Sequence, residues 1–259
     1  MSFRLHPAAC AAAPLIFARG RNCAPKTDAW VWMAFNAFSA RLPREQREYS
    51  TEDALPCLSI PYKPTNILLI LGATAVVAGD GRPQFGGTAW RDLSAALRRL
   101  EGGDLRFPIT VQGGWRHRRF EGPLVRRAPE DKSVMLRGCP PPSGNYFVLL
   151  PDHVFEARAL LGETATAALL RLAYFHRGSR KRGPGAKLEH RWRIDIDRDA
   201  LDQHALMAPR RGRVTEQWER LLRAFDELCK ARFLTFEATP RTIRASLSQD
   251  FFHSTEPTK

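Results

Sequence analysis

Apolar positions recur along the chain at two spacings, and the changes between them mark its elements. Trp30–Phe38 is a short aromatic stretch that predicts a helix, and the apolar run Asn66–Leu71 predicts a second. Gly86-Gly87 leads into Thr88, an expected N-cap, after which Trp90, Leu93, Ala96, Leu97 and Leu100 share one helical face. Gly102-Gly103 stops that helix. Phe107-Pro-Ile-Thr-Val-Gln and Trp115–Glu121 then flank Gly113-Gly114, two extended runs about a turn, and predict a β-hairpin.

The order repeats further along. Leu161, Ala165, Ala168, Leu169 and Leu172 define a helix over Leu160–His176, and Arg191-Trp-Arg-Ile-Asp-Ile-Asp alternates like a strand. Asp199–Leu206 is expected to be a short helix and Ala208-Pro-Arg-Arg-Gly a turn. Thr215 is an expected cap for a helix whose core face is Trp218, Leu221, Leu222, Phe225, Leu228 and Cys229. Phe233–Phe236 and Thr242–Leu247, about the Thr239-Pro240 turn, form a closing hairpin. Cys139-Pro-Pro-Pro-Ser-Gly cannot continue a helix or central strand and divides the two series. The expected fold is α+β: two tandem winged-helix domains, the helix-turn-helix variant with a terminal β-hairpin wing. The first spans 29–144 and the second 145–250, with a flexible tail over 1–28 and a second tail over 251–259.

Charge adds a partner to this picture. Lys and Arg number 40 against 27 Asp and Glu, a net +13. The surplus lies entirely in two segments: Arg82–Arg127, with 10 bases against 4 acids, and Arg171–Arg232, with 16 against 9. Positive charge confined to the two predicted modules points to anion-binding surfaces, and nucleic acid is the commonest such partner. The alternative is two solvated faces. No apolar run is long enough to span a membrane. The five cysteines are scattered without C-x-x-C spacing, so free thiols in a reducing cytoplasm are expected, Cys229 as a small core residue. Arg4 followed by small apolar residues has only a faint likeness to a targeting peptide, interrupted by Pro7 and Pro14.

Opposite the apolar stripe of the first amphipathic helix lie Thr88, Arg91, Ala95, Arg98 and Arg99. Opposite that of the second lie Glu216, Arg220, Arg223, Glu227 and Lys230, flanked by Gln217. A helix fits the major groove, where Arg chelates guanine and Gln adenine. Arg91, Ala95, Arg98, Gln217, Arg220 and Arg223 are therefore the candidate base-reading residues, ordinary solvated helix faces being the alternative. Phosphate candidates are Thr88 and Thr215 at the helix starts, Arg210, Arg211 and Arg213 just before the second, and Arg116, Arg118 and Arg119 on the first hairpin. Arg180, Lys181, Arg182 and Lys187, in a Gly-rich basic loop, and Arg241 complete the set. No nucleotide-binding glycine motif or metal-ligand spacing is present, so neither cofactor nor metal is expected. Asp195, Asp197 and Asp199 alternate at a strand end. They open a Mg²⁺-dependent nuclease reading, or more simply an acidic strand face and a helix start.

Asn66-Ile-Leu-Leu-Ile-Leu-Gly, the segment Gly86–Leu100 with its following hairpin, Tyr146-Phe-Val-Leu-Leu-Pro, the helix around Leu169–Tyr174 and Trp218–Leu234 together resemble the plasmid replication initiators of the RepA/TrfA-like, tandem winged-helix, iteron-binding family. The likeness is one of pattern over roughly 180 residues, and Pro43–Gly87 is longer and richer in Pro and Gly than the family pattern. It implies non-enzymatic, sequence-specific binding of double-stranded DNA at origin repeats to initiate plasmid replication, in the bacterial cytoplasm. It also implies homodimers that repress their own gene, and host initiation factors and helicase as partners. It places Arg91, Ala95 and Arg98 in one recognition helix and Gln217, Arg220 and Arg223 in the other. A transcriptional regulator of the same fold is the alternative.

Overall fold

The computed structural model describes residues 2–5, 9–10, 13, 25–52, 55–79, 81–102, 109–113, 116–120, 123–128, 130, 132–139, 148–179, 193–201, 206 and 214–248; for 2, 25, 26, 55, 109–113, 116–120 and 175–179 the description is of backbone only. In chain order these form β1 (Ser2–Leu5), α1 (Pro25–Arg41), β2 (Glu48–Glu52), β3 (Leu55–Pro61), α2 (Pro64–Ile70), β4 (Ala75–Val77), β5 (Pro83–Phe85) and α3 (Gly87–Leu100). There follow β6 (Ile109–Gly113), β7 (Arg116–Phe120), β8 (Val125–Ala128), β9 (Ser133–Arg137), β10 (Val148–Pro151), α4 (Glu163–Ser179), β11 (Arg193–Asp197), α5 (Val214–Lys230), β12 (Leu234–Ala238) and β13 (Thr242–Leu247). A 3-10 segment, Asp152–Ala159, joins β10 to α4, and a short 3-10 turn, Arg198–Ala200, follows β11.

The molecule is mixed α and β, with several small antiparallel sheets. Its centre is α1. Every side chain from Asp28 to Ser39 is buried, as an aromatic helix that is apolar on nearly all sides requires. Two of its polar side chains are satisfied within the helix: Asn36 Nδ2 donates to the Trp32 carbonyl at 2.9 Å, and Ser39 Oγ to that of Asn36 at 2.7 Å. Around α1 pack β1, α2, α3 and α4. Pro64 opens α2, where a missing N–H costs nothing. Gly72 closes it at φ +66°, with Ala73 N–H donating to the Leu68 carbonyl and Gly72 N–H to that of Leu69. This is the paired arrangement that glycine permits at a helix end.

One order of elements occurs twice. In the first half, helix α1, strand β3, helix α2, helix α3 and hairpin β8–β9 follow one another, and the hairpin's second strand lies beside β3, giving β3-β9-β8 with β2 added outside. In the second half α4, β11, the 3-10 turn, α5 and hairpin β12–β13 build β11-β13-β12. In β11 the alternation places Ile194 and Ile196 inward and Arg193, Asp195 and Asp197 outward. The halves are not separately packed: their buried side chains make one continuous core. The 3-10 segment is the seam, with Phe155 against Phe3 and Trp30, His153 against Phe233, and Arg158 donating to the Leu71 carbonyl at 2.6 Å.

Several expectations are corrected. Within the supposed 1–28 tail, Ser2–Leu5 pairs with β10, and Phe3, Leu5, Ala9, Cys10 and Ala13 are buried. The expected arginine hairpin forms as β6–β7, a sheet of its own among the described residues, and the strand beside β3 is instead β9. Thr88 is not an N-cap: α3 begins at Gly87, Gly86 holds the cap position, and no side chain bonds there. Thr215 likewise sits inside α5, one residue past its start. Cys229 is exposed, on the flank of the α5 stripe rather than in the core. The helix expected over Trp30–Phe38 also extends further, to Pro25–Arg41.

Candidate nucleic-acid interface

The interface was expected on the outer faces of α3 and α5 and on the loops beside them. On α3 the division between faces is clean. Leu93, Ala96, Leu97 and Leu100 are buried against α1, while Thr88, Arg91 and Arg98 are exposed with the half-buried Ala95 between them. Trp90, expected in the core, is 36% exposed and stands edge-on to Phe85, ring centroids 6.2 Å apart. Small Ala95 between two exposed arginines leaves the helix backbone open to close approach.

Arg99 departs from the expected outer row. Its Nε lies 2.9 Å and 3.1 Å from the two Asp28 carboxylate oxygens and its Nη2 2.7 Å from one of them. Asp28 is fully buried on α1. Burial raises its pKa from the ordinary value, and the hydrogen bond and charge of Arg99 oppose that rise. A second clamp holds the end of the same helix. Glu101 accepts from Arg127 Nε at 2.6 Å, Nη2 at 2.6 Å and the backbone N–H at 3.0 Å, tying α3 to β8. That bidentate contact raises the Arg127 pKa. Two arginines of the first basic segment thus orient α3, and Arg91 and Arg98 are left to face outward.

On α5 the expected face divides. Arg220 is half-buried and its Nε and Nη2 each lie 3.3 Å from Thr164 Oγ1, at the start of α4. Glu227, two turns on, accepts the Gly162 N–H at 2.6 Å. These side chains fasten α5 to the first turn of α4 instead of pointing outward together. Gln217 is half-buried. Arg223 is exposed, with Nε 3.4 Å from the Glu219 carbonyl. The exposed polar positions of α5 are Thr215, Glu216, Glu219, Arg223, Asp226 and Lys230, the last two paired at 2.6 Å, beside exposed Val214 and Cys229. This face is of mixed sign, and α3 carries the more basic one.

Beside α5, Arg241 is exposed at the β12–β13 turn. Arg198 joins that turn to α5: its Nη2 donates to Thr215 Oγ1 at 2.6 Å and its backbone N–H to the Arg241 carbonyl at 2.9 Å. The sequence reading passed over Arg198. Its one signal was an arginine set between Asp197 and Asp199 where a strand ends. Arg116, Arg118 and Arg119 lie on β7, opposite Gly113, Val111 and Thr110 of β6. Arg180, Lys181, Arg182, Lys187, Arg210, Arg211 and Arg213 lie outside the described residues.

The acidic strand end has local partners. Asp195 Oδ1 is 3.1 Å from Arg244 Nε and 3.4 Å from Arg193 Nε. Asp197 accepts the Asp199 N–H at 2.9 Å, as a side chain at a helix start does. Among the described residues no group of three or more His, Cys, Asp or Glu is placed to hold a metal ion, and no helix is long and apolar enough to cross a membrane. No protein-family model matches the chain, and no curated protein or solved structure matches it significantly.

Proposed function

We propose that this chain is a sequence-specific double-stranded DNA-binding protein, with no catalytic step of its own, that binds repeats at a plasmid origin and initiates replication there. The two repeated units are read as winged-helix domains, α3 and α5 as their recognition helices, and β8–β9 and β12–β13 as their wings. The carrying observation is the row Thr88, Arg91, Ala95 and Arg98 on the outer side of α3, while Arg99 and Arg127 are spent on orienting that helix. The twice-used order of helix, strand, helical turn, helix and hairpin supports the winged-helix reading, as does the basic surplus of Arg82–Arg127 and Arg171–Arg232, one segment in each repeated unit. The resemblance to RepA/TrfA-like initiators supplies the origin, the autorepression and the host initiation factors and helicase as partners. The outward face of α5 is of mixed sign, so that helix is a weaker phosphate binder than α3.

The test has two stages. Duplexes recovered from a random library on the purified chain are measured by electrophoretic shift against unselected duplex. The chain, supplied in trans, is then asked to maintain a plasmid that carries those repeats and lacks an initiator. Selective binding and plasmid maintenance are the expected results. Selective binding without maintenance would leave a transcriptional regulator, and no duplex binding at all would remove the proposal.

A further inference from the structure

We propose that Arg198 is a positioning residue: it locks the β12–β13 turn to the first turn of α5, so that Thr215 and Arg241 meet one nucleic-acid backbone together. This rests on the duplex-binding reading above.

The geometry is local and well tied. The turn after β11 is shaped by Asp197, whose carboxylate accepts the Asp199 N–H at 2.9 Å. Between these residues Arg198 makes three contacts across two elements. Its backbone N–H reaches the Arg241 carbonyl at 2.9 Å, its Nη1 lies 3.4 Å from the Pro240 carbonyl, and its Nη2 lies 2.6 Å from Thr215 Oγ1. The β12–β13 turn is itself stiff. Thr239 Oγ1 accepts the N–H groups of Thr242 at 2.9 Å and Arg241 at 3.3 Å, and Thr239 N–H donates to the Thr242 carbonyl at 2.8 Å. Arg241 is exposed on this hydrogen-bonded tip, and the planar fork of Arg198 spans from the tip to α5. With Thr215 Oγ1 accepting from Arg198, its O–H is the group that in the proposed complex donates to a phosphate oxygen. A lysine has a single ammonium in place of the fork and cannot hold both acceptors at fixed angles.

The experiment is a double-mutant cycle on the full chain, read by fluorescence anisotropy with a mixed-sequence duplex over a range of salt concentrations. Arg241→Ala is expected to lower the slope of log affinity against log salt by about one in the otherwise native chain. In an Arg198→Ala background the same substitution is expected to change slope and affinity little, and Arg198→Lys is expected to behave as Arg198→Ala although it keeps the charge. Circular dichroism reports folding, and Arg198→Gln replaces the alanine variant if that one unfolds. Additive effects of the two substitutions would overturn the inference, as would full rescue by lysine. Failure of the native chain to bind any duplex would remove the reading beneath it, an outcome visible before any variant is made.

Discussion

Arg99, in the last turn of α3, closes a two-pronged contact on Asp28 of α1, the shortest prong 2.7 Å long, and the carboxylate it holds is sealed from solvent. An anion so placed depends on its cation. Arg99→Leu leaves Asp28 charged and buried, and is expected to cost about 3–5 kcal/mol near pH 7 in urea unfolding. The double variant Asp28→Asn with Arg99→Leu should recover part of that loss. The pH dependence has a definite sign. Without Arg99, burial alone acts on Asp28, so its folded pKa stands above the unfolded value and stability falls as pH rises through it. The single variant should therefore be less destabilised near pH 4 than near pH 7, and the double variant should show no such slope.

The two amphipathic helices predict different outcomes for apparently similar substitutions. Arg91 and Arg98 are exposed, whereas Arg220 is engaged with Thr164. Arg91→Ala or Arg98→Ala should weaken binding to a selected duplex by roughly 1–3 kcal/mol, relaxing base preference at one position, with little change in melting temperature. Arg220→Ala should do the reverse: lose stability, by about 1 kcal/mol, and leave base preference intact. A binding assay run beside thermal unfolding separates the two. Equal loss of selectivity in all three variants would return Arg220 to the reading face.

Glu227 predicts a graded series. Its carboxylate accepts the Gly162 N–H at 2.6 Å, just before α4, where a negative charge also suits the helix start. Glu227→Gln keeps an acceptor and loses the charge; Glu227→Ala loses both. Expected costs are about 0.5–1 kcal/mol and about 1–2 kcal/mol respectively. A Cβ at Gly162 would stand 3.0 Å from Glu227 Oε2, so Gly162→Ala should also destabilise, and by less in the Glu227→Ala background than alone.

How legible these features were in the sequence depended on how local they are. The core faces of α3 and α5 followed from helical spacing, and the β12–β13 hairpin from Thr239-Pro240 between two apolar runs. Strands β2, β3, β8 and β9 were missed. Glu48–Glu52 is mostly exposed and β8 has two adjacent arginines, so neither shows a clean alternation, and the sheet is joined by β3 pairing with β9, which sets Cys57 against Arg137. The burial of Phe3 and Leu5 depends on β10, far along the chain, and no spacing within the first residues announces it. Arg91 and Arg98 are exposed on the side that the helical spacing assigns them, whereas Arg99 is turned to Asp28. A buried carboxylate on an otherwise apolar helix is invisible until the helix is known to lie at the centre. The contact of Arg220 with Thr164 is hidden for the same reason: the helical wheel shows which side is not apolar, but not which neighbour covers it.

Cys139 makes the last prediction. Burial pushes its thiol up to about 12, against the hydrogen bond to Ser39 and the positive charge of Arg47. Burial also raises Cys57, Tyr49 and Tyr62. For each, the folded chain keeps a proton that the unfolded chain releases, so their contributions share a sign: stability is full below the unfolded pKa and lost above it. For Cys139 alone the loss begins near the ordinary thiol value of 9 and continues to about 12, at about 1.4 kcal/mol per pH unit. Urea unfolding near pH 8 and near pH 10 should show a steeper alkaline loss in the native chain than in Cys139→Ala, measured against each protein's own stability near pH 8. Thiol labelling gives an independent check. Exposed Cys229 should react with a soluble disulfide reagent in the folded state, while buried Cys139 should react only at the rate of unfolding, because both access and the thiolate are withheld. Rapid labelling of Cys139 in the folded chain near pH 8 would show that the thiol is neither sealed nor held neutral, and the alkaline slope would then need another source.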